Sequence, residues 1–110
     1  MRKVIFYIKK TGEKPVETFL DTLSDKAAEK ILWVLKILEE LHPIPGQYYK
    51  KLDKDIWECR IKSGSNIYRL FGFFKGNDII LTHGMVKKTD KIPREEIERA
   101  EKMIEEYFSR

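Results

Sequence analysis

The sequence predicts one α+β domain over residues 1–110, with an antiparallel sheet and helices packed on one of its faces. Two observations carry this prediction. The second half holds three segments rich in β-formers, joined by short turn-rich loops typical of hairpins. Amphipathic segments of helical period lie before and after them. The predicted order is strand, helix, helix, strand, strand, strand, helix. A domain of this length buries roughly two-thirds of its unfolded surface, so no covalent staples are needed.

The first three elements follow from apolar spacing and from capping residues. Residues 4–8 predict a strand, and Pro15, which follows a turn at Gly12, opens a short helix. Ser24 is the expected N-cap of a second helix over residues 25–41. The apolar residues of that helix repeat with the helical period at Ala27, Ala28, Ile31, Leu35, Leu38 and Leu41.

The second half begins where two prolines in residues 42–46 end the helix. A basic loop with Lys50, Lys51 and Lys54 follows. The remaining predicted elements are three strands over 56–61, 67–74 and 79–86 and a closing helix over 93–108. The closing helix is expected to bury Ile97, Ala100, Ile104, Tyr107 and Phe108. The uncovered face of the sheet is then free to bind a ligand.

Several classes of protein are excluded by the rest of the composition. Cys59 is the only cysteine, so the chain forms no internal disulfide and no cysteine metal cluster. His42 and His83 are too few and too far apart in sequence to predict a metal site, and no cofactor motif is present. No apolar stretch approaches the ~20 residues of a membrane span or the pattern of a signal peptide. We therefore expect a cytoplasmic protein without metal or cofactor.

The net charge of +4 is unevenly distributed along the chain. Residues 1–41 carry 8 basic and 7 acidic side chains, residues 42–94 carry 11 and 5, and residues 95–110 carry 3 and 6. The middle is thus basic and the closing helix acidic. A basic centre suggests a polyanionic ligand such as nucleic acid, although such an asymmetry can also serve solubility.

Charged and titratable residues inside the predicted strands are the first candidates for function. Alternation places Arg60 and Glu58 on one face of their strand, and Arg69 on the face that holds Ile67, Phe71 and Phe73. Two readings are open for Arg69: an ion pair with Glu58, or a guanidinium that binds phosphate or stacks on a base. His83, expected to share its face with Leu81, Met85 and Lys87, is either hydrogen-bonded in the core or a proton-transfer group.

A pair of lysines, Lys87 and Lys88, ends the last predicted strand, and Pro93 then opens the closing helix. A cationic cluster at such a junction suits the binding or cleavage of a phosphodiester. The alternative is that the pair only solubilises a strand end.

Taken in order, four segments resemble the RelE/ParE toxin superfamily, and specifically its HigB-like, phage-derived branch. These segments are residues 51–60, 68–71, 81–89 and 93–100. The resemblance spans nearly the whole chain and implies a small toxin of a type II toxin–antitoxin pair with a RelE-like fold. RelE-like members cleave messenger RNA in the ribosomal A site without a metal, whereas ParE-like members poison DNA gyrase.

Carried over by motif, the catalytic residues fall on Arg60, Arg69 and Lys87 or Lys88. RelE-type members place a catalytic tyrosine shortly after the basic pair, and residues 89–92 contain none. His83 and Tyr107 are the substitutes considered for the missing acid. The further basic residues expected to bind RNA are Lys50, Lys51, Lys54 and Lys91.

The resemblance also implies partners. They are a cognate antitoxin, of helix-turn-helix fold as in HigA, the ribosome with its message, and operator DNA reached only through the antitoxin. Trp33 and Ile37 form a second apolar stripe on their helix and are expected to dock the antitoxin. The predicted activity is a ribosome-dependent endoribonuclease. The alternatives are a gyrase poison and an inactive, antitoxin-binding co-repressor.

Overall fold

The computed structural model describes residues 2–87, with the backbone alone at Lys87, and residues 91–110. Eight elements follow one another along this part of the chain. They are β1 (Val4–Phe6), α1 (Pro15–Asp21), α2 (Asp25–Glu40), β2 (Tyr49–Asp53), β3 (Ile56–Ser63), β4 (Asn66–Lys75), β5 (Asp78–Lys87) and α3 (Arg94–Phe108). The α+β class is confirmed. None of the described helices is both long and apolar enough to cross a membrane.

The described strands form one sheet in the order β1-β5-β4-β3-β2. The β3–β4 and β4–β5 pairs are antiparallel, as the hairpin loops predict. The β2–β3 pair is antiparallel as well, and β1 pairs with β5 in parallel. The predicted order omits β2, because the lysines of this segment indicated a basic loop. Tyr49 is buried opposite Cys59, while Lys50 and Lys51 extend outward from an edge strand. Solvent-facing lysines are typical of edge strands, so local composition concealed this one.

The second helix begins and ends much as its sequence predicts. The Ser24 hydroxyl accepts a hydrogen bond from the Ala27 amide, which caps the N-terminus. At the other end the buried Arg2 guanidinium donates to the carbonyl oxygens of Leu38 and Leu41 at 2.7 and 2.9 Å. A cation there satisfies carbonyl groups that the helix leaves without partners.

The placement of the closing helix differs from prediction. Helices α1 and α2 cover the sheet face that holds Cys59, Ile61 and Leu70, whereas α3 packs on the opposite face against Phe71 and Phe73. The expectation that all helices lie on one face is therefore wrong. Both faces of the central strands are apolar, and two separate helical layers are needed to remove them from water.

The predicted apolar stripe of α3 meets this second face with one exception. Ile97, Ala100, Ile104 and Tyr107 all pack into the two clusters beneath the helix. Phe108 remains 60% exposed, although its ring lies 5.5 Å from that of Phe73. It closes the helix end rather than the core.

A bulge between β4 and β5 changes which residues share a face. Phe71 pairs with His83, but the next residue, Gly72, pairs with Leu81, so Thr82 is an extra residue. Leu81 consequently turns to the α1–α2 face, while His83 stays on the α3 face. The expectation that Leu81 and His83 share a face is therefore wrong, because simple alternation fails across a bulge.

The bulge predicts a steric requirement for glycine at position 72. A Cβ there would lie 2.6 Å from the Ile80 carbonyl oxygen, a backbone atom that cannot rotate away. We expect Gly72→Ala to lower the free energy of unfolding by about 1–3 kcal/mol, through overpacking. Gly46→Ala is the matched control, since a Cβ at Gly46 meets no heavy atom within 4 Å. Urea unfolding of both variants measures the difference, and equal stabilities would contradict the requirement.

Candidate functional site

Two arginines face each other across neighbouring strands. Arg60 of β3 pairs in register with Arg69 of β4, so both side chains leave the same face of the sheet. Glu58 lies on that face as well, opposite Phe71. This is the face on which α3 packs, and Arg60 is the half-buried member of the arginine pair.

Arg69 forms a buried ion pair with Glu58. The distance from Arg69 Nη1 to Glu58 Oε2 is 2.9 Å, and the two side chains are 3% and 1% exposed. The ion pair is one of the two readings that the sequence leaves open for Arg69. Glu58 Oε1 is also buried and has no hydrogen-bond partner among the described residues. The carboxylate therefore depends on Arg69 for its charge balance.

His83 is buried beneath the first turns of α3. Its ring stacks on Phe71 with centroids 4.9 Å apart, and its Nδ1 lies 3.1 Å from the Thr82 hydroxyl. That hydroxyl donates its one proton to the Phe71 carbonyl oxygen, so we assign the Nδ1 proton to the imidazole as donor. The hydrogen-bonded core position, one of the two readings open for His83, is the one observed.

Burial controls the protonation of this histidine. Removal from water, with smaller effects from the cations Arg99 and Lys9, lowers the pKa of His83 to about 3. The Glu96 carboxylate lies 3.7 Å from Nε2, but Arg99 also pairs with Glu96, at 3.2 Å. His83 is therefore a neutral imidazole at neutral pH.

The end of β5 lies at the same end of the sheet as the arginine pair. The Lys87 backbone pairs with Ile67, which itself pairs with Lys62 of β3, two residues beyond the Arg60–Arg69 pair. Lys88 lies outside the described residues. The ends of β3 and β5 and the start of β4 therefore lie side by side.

The other predicted RNA-binding lysines do not share one surface. Lys50 pairs with Glu58 and so lies on the arginine face, whereas Lys51 pairs with Trp57 on the opposite face. Lys54 occupies the β2–β3 turn with a φ of 41°, and Lys91 is exposed before α3. Successive side chains of a strand point to opposite faces of the sheet, so Lys50 and Lys51, although adjacent in sequence, lie on different surfaces.

The predicted antitoxin-docking residues are on α2, the helix that covers the other face of the sheet. Trp33 is 57% exposed, and Ile37, one turn later, is half-buried. Neither contacts the buried arginine–glutamate pair.

Two residues that line the His83 environment, Glu96 and Arg99, lie on α3 and were not predicted as part of the site. The sequence indicates helical pairs of Glu95 with Arg99 and of Glu98 with Lys102. In the structure Arg99 bonds to Glu96, one position nearer, and Glu96 faces His83. No local signal marks this contact, because it depends on which face of the sheet α3 covers.

The α+β fold, one five-stranded sheet with three helices in the described part of the chain, is compatible with a RelE-like fold. Residues 18–105 match the family model described as Phage derived protein Gp49-like (DUF891). The match covers most of the chain, so the protein belongs to the Gp49-like family, a RelE/ParE-type toxin family of toxin–antitoxin systems. Membership implies a cognate antitoxin. No curated protein matches the chain.

The buried ion pair predicts strong coupling between its members. Glu58→Leu takes the buried carboxylate away from Arg69, and Arg69→Met takes the guanidinium away from Glu58. We expect each single change to cost about 3–5 kcal/mol of stability. The double variant Glu58→Leu/Arg69→Met removes both charges and is expected to cost less than either single change. Urea unfolding of the three variants gives the coupling free energy. Strictly additive losses would contradict the pair's importance.

The low pKa of His83 predicts a pH dependence of stability. Between a folded pKa of about 3 and an unfolded pKa near 6.5, the unfolded chain binds the extra proton, so acid favours unfolding. We expect His83 to cost the wild type about 2 kcal/mol on going from pH 7 to pH 5. His83→Gln, which cannot titrate, should lack this part of the pH dependence in urea unfolding. Parallel curves for the two proteins would show that folding does not lower the pKa of His83.

Proposed function

We propose that this toxin is a ribosome-dependent messenger RNA endoribonuclease. The observation that carries the proposal is that Arg60 and Arg69 leave one face of the sheet, towards the end at which the backbone of β5 finishes at Lys87. Cations held on neighbouring strands suit a phosphodiester, whose negative charge increases as it is cleaved. The HigB-like branch and the ribosome are parts of this proposal.

The proposed reaction proceeds by attack of the 2′-hydroxyl on the neighbouring phosphate. A base takes the hydroxyl proton, the O2′–P bond forms, and the P–O5′ bond breaks. The departing O5′ receives a proton from an acid, so the products are a 2′,3′-cyclic phosphate and a 5′-hydroxyl. Cations stabilise the charge on the phosphoryl oxygens, and one well-placed donor contributes roughly 3 kcal/mol.

The solvent exposure of each basic side chain helps to assign its role in the proposed reaction. Arg60 is half-buried and within reach of solvent, so we assign it to the phosphate. Lys87 or Lys88 acts as the base, since a lysine beside a second cation has a lowered pKa. Arg69 is held by Glu58 and positions the strand beside Arg60. Direct roles for Arg69 and His83 in the reaction stay predictions.

The basic residues of the arginine face also suggest the kind of antitoxin that would bind this toxin. An antitoxin segment rich in acidic residues would neutralise the arginine face and block access of the message. We propose a helix-turn-helix antitoxin like HigA, through which the pair reaches operator DNA.

One observation favours a second function, that of a ParE-like gyrase poison. Arg69 and His83 are both almost completely buried, and a toxin that acts by binding needs neither group exposed. In that case the exposed lysines would serve recognition of a protein rather than catalysis.

The decisive variant is Lys87→Ala/Lys88→Ala. On induction in cells, the wild-type chain should create new 5′ ends within translated regions of messages, and the double variant should reduce them by at least about 10²-fold, since it removes the proposed base and a cation. The matched control is Lys9→Ala/Lys10→Ala, an adjacent lysine pair that follows β1. It should cut like the wild type.

Other results separate the alternatives. Growth arrest with intact messages and with DNA breaks would replace the nuclease by a gyrase poison. Equal cleavage by the wild type and the Lys87→Ala/Lys88→Ala variant would remove the lysine pair from the mechanism. Absence of arrest would favour an inactive antitoxin-binding protein.

A further inference from the structure

A groove of about 480 Å³ runs between α2 and the free edge of β3. Its size falls within the roughly 300–1,000 Å³ of sites that hold small organic ligands. Strand β2 begins at Tyr49, which pairs with Cys59, so it does not run alongside the last residues of β3. The groove lies beside this uncovered part of β3. The end of β3 is left as an edge over which α2 passes.

The lining of this groove is cationic. The lining includes three basic residues, Lys30 from α2 and Arg60 and Lys62 from β3, and none of the described lining residues is acidic. The register places Arg60 and Lys62 on the α3 face of β3, so these two residues line the groove from the edge of the strand. Lys30 Nζ donates a hydrogen bond to the Lys62 carbonyl oxygen at 2.5 Å, which holds its charge at the strand edge. The groove is thus suited to an anion.

The same groove presents aromatic rings. Trp33 and Tyr48 line it, and Trp33 is 57% exposed. The other tryptophan, Trp57, instead stacks on Tyr49 at 5.4 Å and meets Phe74 edge-on at 5.0 Å. A tryptophan left largely in water, in a groove that basic residues also line, offers a flat surface for stacking.

Arg60 joins this groove to the arginine face. It lies opposite Arg69 in the sheet and also lines the groove beside Trp33. A polyanion bound at Arg60 therefore has a continuous cationic path around the edge of β3 to Lys30. Repeated negative charge together with planar bases is the chemistry of single-stranded nucleic acid, whereas an acidic peptide would use the charges but not the stacking surface.

We propose that this groove binds single-stranded RNA, with a nucleobase stacked on Trp33 and backbone phosphates on Lys30, Arg60 and Lys62. The inference rests on the proposed function, because it takes the bound strand to be the message that flanks the cleaved phosphate. It assigns Trp33 to RNA, where the sequence suggested antitoxin docking.

The test is binding of a labelled ten-nucleotide 2′-O-methyl RNA, which lacks the attacking hydroxyl and stays intact. Trp33→Ala should weaken binding by about 5- to 150-fold, the range that corresponds to loss of one stacked base. The wild type should also show quenching of tryptophan fluorescence on binding, and Trp33→Ala should lose that quenching. Lys30→Gln should lower the slope of log K against log salt by about 0.7, the value for one phosphate contact.

Helix α2 itself supplies the matched controls. Leu32 is 50% exposed and Lys36 is exposed, and both line a neighbouring groove with Val4 and Phe6 rather than this one. Leu32→Ala and Lys36→Gln should bind the RNA like the wild type. All four substitutions lie at solvent-facing positions, so a fold defect is not expected, and circular dichroism checks this.

Three results would overturn the inference. They are unchanged RNA affinity in Trp33→Ala and Lys30→Gln, equal losses in the control variants, and loss of antitoxin binding without loss of RNA binding. The experiments distinguish a failure of the proposed RNA-binding groove from a failure of the proposed nuclease activity. Normal RNA binding by groove variants, together with loss of cutting in Lys87→Ala/Lys88→Ala, removes only the groove. Groove-dependent binding without any message cleavage removes only the nuclease.

Discussion

The structure depends on the burial of β4 from both sides. Seven consecutive residues of this strand are buried, and it lies in the middle of the five strands. The backbone hydrogen bonds of a central strand lie within the sheet and do not cover its two faces. Apolar side chains on both faces therefore need a packed layer above and another below to remove them from water. Helices α1 and α2 supply one layer and α3 the other. The bulge at Thr82 then lets β5 keep apolar residues towards both layers as it pairs with β4.

Covering the second face determines which polar groups can do chemistry. Glu58, Arg69 and His83 lie on the α3 face and are almost completely buried. The ion pair holds the first two, and desolvation keeps the third neutral. The basic residues that reach solvent on β3 lie towards the end of that strand, where Arg60 is half-buried and Lys62 is exposed. Because Glu58, Arg69 and His83 are buried, a polyanion can bind only at basic residues that reach solvent.

Much of the fold and part of the site follow from local patterns. The Ser24 cap, the hairpin loops and the opposite orientation of Glu58 and Cys59 all depend on neighbours within a few residues, and the structure confirms them. The same is true of the apolar stripe of α3. Prediction fails where distant segments decide: β2 is a strand only because β3 pairs with it, and Leu81 changes face only because of the bulge. The contact of Glu96 with His83 is of this second kind.

The sequence by itself determined the α+β class, the three hairpin-linked strands, the basic character of the middle of the chain and the candidate cations. These properties rest on hydrophobic period, turn chemistry and charge, which are local quantities. Only the tertiary structure decided that α3 covers the arginine face, that Arg69 is bound by Glu58, and that Trp33 lines the same groove as Lys30, Arg60 and Lys62. A helix's apolar stripe shows that it must be buried but not against which surface, because that choice depends on all the other layers at once.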